Sequence, residues 1–266
     1  MNLGTARIAL RPRKLGESFD LGLLWCTRIA RGLYLRLAAF VLLPALAACV
    51  AARWLLQWEW LAVWALAAGL ATVLQGVFTI AAGRSMFEPE LRARDVLLGF
   101  VRRLPDYLVV LLVSRLLLAL GLALLVIPAL WWWPQITYVH EATLLEMHRP
   151  GAARRRATAI VTREHAEAVG FLAGAGLAIA LAIHCADMID YVLLDFTLQL
   201  GRPLGDLMED GGSVFALLGF FAAVPYVATV RFLRYIDGRT RRDGWDLQLA
   251  FLGRALAHER ALEEVA

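Results

Sequence analysis

Four polar side chains interrupt the apolar stretches of this chain: Gln75, Arg115, His140 and Glu141. An ionised group at membrane depth costs about 3 kcal/mol, so such residues are functional candidates by default. Counted from the nearer basic boundary at 1.5 Å per residue, Arg115 lies roughly 14 Å deep. Gln75 lies about 12 Å deep, and His140 with Glu141 about 10 Å. Residues from three predicted helices thus share one layer. The chemistry expected there is an Arg115–Glu141 ion pair, with Gln75 and His140 as hydrogen-bond partners. Such a layer either fixes helix register or serves a transport or ligand site.

A second group, His184, Asp187 and Asp190, is spaced i, i+3, i+6 on one helical stripe. One imidazole and two carboxylates are a weak set of divalent-metal candidates, and an acidic, solvated helix end is the simpler reading. No metal or other cofactor is expected. The sequence holds no Gly-x-Ser-x-Gly elbow, Cys-x-x-Cys pair, phosphate-cradling glycine loop or His-Glu-x-x-His helix. An enzyme is therefore not expected.

Near the C-terminus, Asp237 and Arg241 have the spacing of an i, i+4 pair. Gly244 suits a helix end and Asp246 the cap of a following helix. Trp245 would then lie at the membrane surface.

The elements that position these residues follow from hydropathy. The chain has 266 residues, 60% of them apolar, against about 45–50% in soluble domains. Six apolar stretches, at about 33–56, 61–83, 106–126, 130–147, 167–190 and 213–235, are long enough to cross a bilayer. The run 106–146 would be about 60 Å as one helix. It is therefore divided near Ile127-Pro128, with Trp131, Trp132 and Trp133 at the outer headgroups. Pro44 predicts a kink in the first span. Trp54, Trp58, Trp60 and Trp64 resemble an aromatic belt at the outer turn. Amphipathic stretches at 14–31, 89–104 and 150–165 predict interfacial helices. The fold class is thus all-α: a single integral membrane bundle of six spans, with a cytoplasmic tail at 236–266.

Charge sets the orientation. Residues 1–32, 84–105, 148–165 and 236–266 hold 21 of the 27 Lys and Arg. The opposite connections hold Glu59, Asp187, Asp190, Asp195, Asp206, Glu209 and Asp210, with Arg202 their only clear cation. Positive charge stays cytoplasmic during insertion, so both termini are expected there, in a cell inner (plasma) membrane. The net charge of +4 reads as a collar facing anionic headgroups rather than nucleic acid, because no basic soluble domain exists to carry it. Cys26, Cys49 and Cys185 fall at different depths, so no disulfide is expected.

Three segments carry a resemblance. Residues 12–20 read Pro-Arg-Lys-Leu-Gly-Glu-Ser-Phe-Asp, similar to a Pro-x-x-Leu-Gly-Glu-x-x-Asp opening. Residues 127–156 contain Ile127-Pro128, Glu141 and Gly151-Ala152-Ala153 followed by arginines. Residues 235–247 resemble a Tyr-x-Asp-x-Arg-x-Arg-x-Glu-Gly-x-Asp-Leu ending through Tyr235, Asp237, Arg239, Arg241, Gly244 and Asp246, with Asp243 in place of Glu. The chain in this respect resembles the six-helix bacterial inner-membrane proteins related to the glycerophosphodiester phosphodiesterase membrane domain and to the YciC-type family. The resemblance implies six spans and cytoplasmic ends and points to a membrane assembly partner; it does not imply phosphodiesterase activity. The function expected first is a non-enzymatic scaffold or assembly subunit. The alternative is a small transporter or lipid-handling protein that uses the layer around Arg115 and Glu141. A water-accessible cavity reaching Arg115 would favour the alternative, and a dry, packed layer the scaffold.

Overall fold

The computed structural model describes residues 11–88, 90–124, 126–147, 150–162 and 165–244. These residues form helices and connections, with no strand among them. The proposed cap Asp246, Trp245 and the rest of the tail lie outside the described residues.

Helix α1 spans Leu15–Leu24 and runs into a π-helical turn at Trp25–Ile29. Helix α2 (Arg31–Leu37) is joined to α3 (Leu43–Trp54) by a second π turn, Ala38–Leu42. Pro44 stands in the first turn of α3. It lacks an N–H, and the wide turn before it absorbs the missing bond. Helix α4 covers Trp60–Ser85, and α5 covers Ala93–Leu124 with Pro105 inside it. Then come α6 (Val126–Ile136), α7 (Val139–Leu144), α8 (Pro150–Val161), α9 (His165–Asp190) and α10 (Val214–Asp243). Helix α9 continues as a π turn, Tyr191–Thr197.

Among the described residues, five helices are long and apolar enough to cross a membrane: Arg31–Trp54, Trp60–Ser85, Ala93–Ala123, His165–Thr197 and Val214–Asp243. The expected fourth span, 130–147, is instead two short pieces, α6 and α7. Pro134 removes one ladder hydrogen bond, and the chain turns at Thr137–Tyr138, where Thr137 N–H donates to the Pro134 carbonyl. Ile127 and Pro128 fall in the first turn of α6, and residue 125, between α5 and α6, lies outside the described residues. The Trp131 ring stacks on His165, the first residue of α9, with centroids 4.8 Å apart. An aromatic run fills a lateral contact as readily as a headgroup belt, and its spacing does not distinguish the two.

Two of the expected interfacial segments belong to longer arrangements. Residues 93–104 are the first turns of α5 itself. Helix α1 packs into the cleft between α9 and α10. Phe19 lies over Gly174 and Gly22 over Val230, so small residues allow the close approach. At the crossing of α9 and α10, a Cβ on Gly219 would overlap the Ala182 backbone carbonyl.

Helix α10 is the axis of the bundle. Of its most apolar window 61% is buried, against 17–33% in the other four candidate spans. Trp25, Tyr34, Phe78, Tyr107, Phe221, Phe232 and Tyr235 form the large buried core around it. Leu35, Phe40, Leu61, Leu112, Leu116 and Leu177 point outward. An apolar exterior on apolar helices is what a lipid-facing bundle requires. Arginines gather at the end marked by Ser85 and Asp243, the basic end. Carboxylates gather at the end marked by Trp60 and Ser213, the acidic end.

Candidate functional site

The expected polar layer exists with a different centre. Arg231, on α10, reaches into it from within the last apolar stretch, 213–235. Its Nε donates to Glu141 Oε1 at 2.6 Å, its Nη1 to Gln75 Oε1 at 2.7 Å and its Nη2 to Thr79 Oγ1 at 3.2 Å. Glu141 is fully buried and Arg231 is 5% exposed. The Arg115–Glu141 pair is therefore replaced by Arg231–Glu141. A guanidinium spreads several donors in one plane, and here three of its nitrogens find acceptors on α4 and α7. The sequence carries part of the signal: Arg231 interrupts Val-Ala-Thr-Val-Arg-Phe-Leu within the last apolar stretch, though nearer its boundary than Glu141 is to its own.

His140 takes a different partner. Its Nδ1 lies 2.9 Å from the Tyr107 hydroxyl, which also lies 3.1 Å from the Thr72 carbonyl. A carbonyl only accepts, so the tyrosine proton goes to Thr72 and His140 donates from Nδ1. This assigns the tautomer and leaves Nε2 as an acceptor.

Arg115 has no carboxylate or hydrogen-bond acceptor among the described residues. It borders two spaces. One is a cavity of about 300 Å³ inside the bundle, lined by Gln75, Ser114, Arg115, His140, Gly176 and Arg231, with apolar walls from Phe171 and Ile179. The other is an open, mainly apolar groove of about 530 Å³ between α4 and α5, lined by Ala68, Gly69, Leu108 and Leu112. A Cβ on Gly176 would meet nothing within 4 Å, so this glycine leaves the cavity open.

At the basic end, residues of all three resemblance segments enter two groups of paired charges. Asp237 accepts from the Arg13 main-chain N–H at 2.6 Å, from Arg234 Nη1 at 2.8 Å and from Arg241 Nε at 3.1 Å. Arg234 also pairs with Glu167. Arg241 Nη2 donates to the Arg13 carbonyl at 2.7 Å. Arg239 Nε meets Glu146 at 3.2 Å, and Arg156 links Glu146 to Asp243. Tyr235 is fully buried and faces Tyr138 at 6.1 Å. Gly244 closes α10 in the left-handed region at φ 61°, its N–H on the Thr240 carbonyl. These residues are the last two turns of α10 rather than a separate tail.

At the acidic end, Asp187 and Asp190 are buried around Arg202. Asp187 lies 2.8 Å from Arg202 Nη2, Asp190 lies 3.5 Å from Nε, and Asp206 pairs with Nη1. Asp187 also accepts from Ser213 Oγ at 2.6 Å. His184 is exposed, with Nδ1 against the Ala180 carbonyl. The metal-candidate triad thus does not converge. Its carboxylates hold a guanidinium, and no metal-ligand group occurs among the described residues. Trp60 packs on Gly212, Trp64 donates to the Gly211 carbonyl at 2.9 Å, and Arg53 lies over the Trp60 ring. These contacts pin the acidic loop to α4.

Fold and site together define a multi-pass helical membrane protein with a polar layer around its central helix. No family model matches the chain, and no match to it was found among curated proteins or solved structures.

Proposed function

We propose that this is a bacterial inner-membrane protein, with its basic end and both termini cytoplasmic, that handles an anionic amphiphile. One observation carries the reading. Arg115 has no acidic partner among the described residues, and it lines both the apolar groove and the cavity beside Arg231. Arg231 is neutralised by Glu141, so Arg115 leaves the layer with one uncompensated positive charge. A headgroup bearing one negative charge complements it, with Gln75, Ser114 and His140 as further hydrogen-bonding groups. The groove offers a lipid tail an apolar path to the same arginine. Arg115 is itself exposed beside the groove, and an ionised side chain at membrane depth is a functional candidate by default. No nucleophile or acid–base pair is assigned, so binding and movement of the ligand are the proposed activity.

The orientation rests on the distribution of arginines. The likeness of residues 12–20 and 235–247 to the inner-membrane group supports the same placement. A scaffold role remains the second reading, favoured by the extensively paired basic end, which would present a rigid face to a membrane partner.

The test is lipid retention. Purified protein in mild detergent should carry anionic phospholipid detectable by native mass spectrometry. Gly176→Leu, which fills open space, and Arg115→Leu should each lose one bound copy while remaining folded. Retention unchanged in both variants would leave the scaffold reading.

A further inference from the structure

We infer that a second, separate site, at the basic end between α4, α5, α7 and α10, binds the headgroup of an anionic phospholipid through Arg103. A cavity of about 400 Å³ lies there, within the size range of small-molecule sites. Its floor is apolar, built from Ile80, Phe87, Phe232 and Tyr235. Its charged lining is Arg84, Glu88, Arg103, Glu146 and Arg239.

The partners of these five groups decide what the cavity attracts. Arg84 is occupied: it binds Glu88 through two nitrogens, at 3.3 and 2.8 Å, and the Asp95 carbonyl at 3.0 Å. Glu146 is shared between Arg239 and Arg156. Arg103 has no acidic partner among the described residues. Three cations thus face two carboxylates, and the surplus charge sits on Arg103. A guanidinium presents paired donors that match a phosphate. An apolar floor beneath a cationic rim fits an amphiphile better than a free ion.

Glycine keeps this space open as well. Gly99 lines the cavity, and a Cβ there would meet nothing within 4 Å. Glycine inside a helix costs about 0.5–1 kcal/mol relative to alanine. Filling the space should therefore not unfold the protein, which separates loss of binding from loss of fold. The site shares no lining residue with the cavity at Arg115, so it stands or falls independently.

The experiment uses the full-length protein in detergent with short-chain phosphatidylglycerol, short-chain phosphatidylcholine or inorganic phosphate. Native mass spectrometry counts bound lipids, and thermal shift reports affinity. Phosphatidylglycerol should bind and the other two should not. Gly99→Leu should lose one bound phosphatidylglycerol. Arg103→Gln should weaken that copy about tenfold, the equivalent of about 1.4 kcal/mol. Arg102→Gln, at the exposed neighbouring position, should not change it. Equal binding of phosphatidylcholine, an equal shift with phosphate alone, or unchanged binding in both Gly99→Leu and Arg103→Gln would each overturn the assignment.

Discussion

The main-chain N–H of Arg13 donates to the Asp237 carboxylate across 2.6 Å, joining residues 224 positions apart. The same carboxylate binds Arg234 and Arg241, and both arginines return a hydrogen bond to the Arg13 carbonyl, at 3.3 and 2.7 Å. Both polar groups of one peptide residue are thus satisfied by the last turns of α10. This fastens the segment before α1 to the central helix and sets where α1 enters the cleft.

Asp237→Asn should break this fastening. It keeps the shape and one acceptor oxygen but removes the charge that balances Arg234. Arg234 is fully buried, so the loss should approach the 3–5 kcal/mol typical of a broken buried pair. Glu167 still faces Arg234 and reduces that figure. The check is thermal unfolding in detergent, together with proteolysis near residues 11–30. A fall in melting temperature without new cleavage there would mean that Asp237 stabilises α10 alone.

Arg231 and Glu141 should behave as a coupled pair, and Arg115 and Glu141 should not. Arg231→Leu and Glu141→Leu should each destabilise by about 3–5 kcal/mol. The double variant should recover part of that loss, because no unpaired charge then remains. Combining Arg115→Leu with Glu141→Leu should give losses that add. A double-mutant cycle for each pair decides between them. Coupling in the Arg115 cycle and none in the Arg231 cycle would restore the pairing that span depths alone suggest.

That pairing shows what the sequence could and could not carry. Depth along a helix follows from a rise of 1.5 Å per residue, so Gln75, His140 and Glu141 are recognisable as one layer. Which arginine completes the layer depends on helix rotation and neighbour order, which hydropathy does not encode. Arg231 was also concealed by its place near a span boundary, where arginine usually reaches water. The break at Thr137–Tyr138 was missed for a related reason: 41 mostly apolar residues satisfy two spans by length, and Pro134 alone does not reveal that the return is made of two short helices. At the acidic end the carboxylates were legible but their partner was not, because Arg202 lies in a loop whose path no periodicity describes. The closing motif was the most legible part, since Asp237 and Arg241 are neighbours on one helix.

Arg202 should prove structural. Arg202→Ala would leave Asp187, 3% exposed, and Asp190, fully buried, facing each other without a cation. The expected loss is about 3 kcal/mol or more. Asp187→Asn combined with Asp190→Asn should offset much of it in an Arg202→Ala background. Added zinc or calcium should not raise the melting temperature of the unaltered protein. A clear metal-dependent rise that disappears with His184→Ala would instead make the His184, Asp187 and Asp190 stripe a ligand set.

The acidic loop should also carry a small, defined pH dependence through Asp206. Its carboxyl is held below the usual value of 3.8, mainly by the Glu209 main-chain N–H, with further help from the Met208 N–H and Arg202. The two backbone donors lie 3.0 and 2.6 Å from Oδ1. A carboxyl whose pKa is lower when folded binds fewer protons than in the unfolded chain. Its contribution is therefore complete above about pH 3.8 and is lost as pH falls through the lower folded value. Asp206→Asn separates charge from geometry. The amide oxygen still accepts the two backbone N–H groups, but it cannot titrate or pair ionically with Arg202. Melting temperatures of the two proteins should differ by a constant amount from pH 7 down to about 4. Below the usual carboxyl value the difference should shrink, because the unaltered protein is losing the charge that the variant never had. A gap that stays constant through acid, or widens, would show that the Asp206 charge is not stabilised in the folded loop.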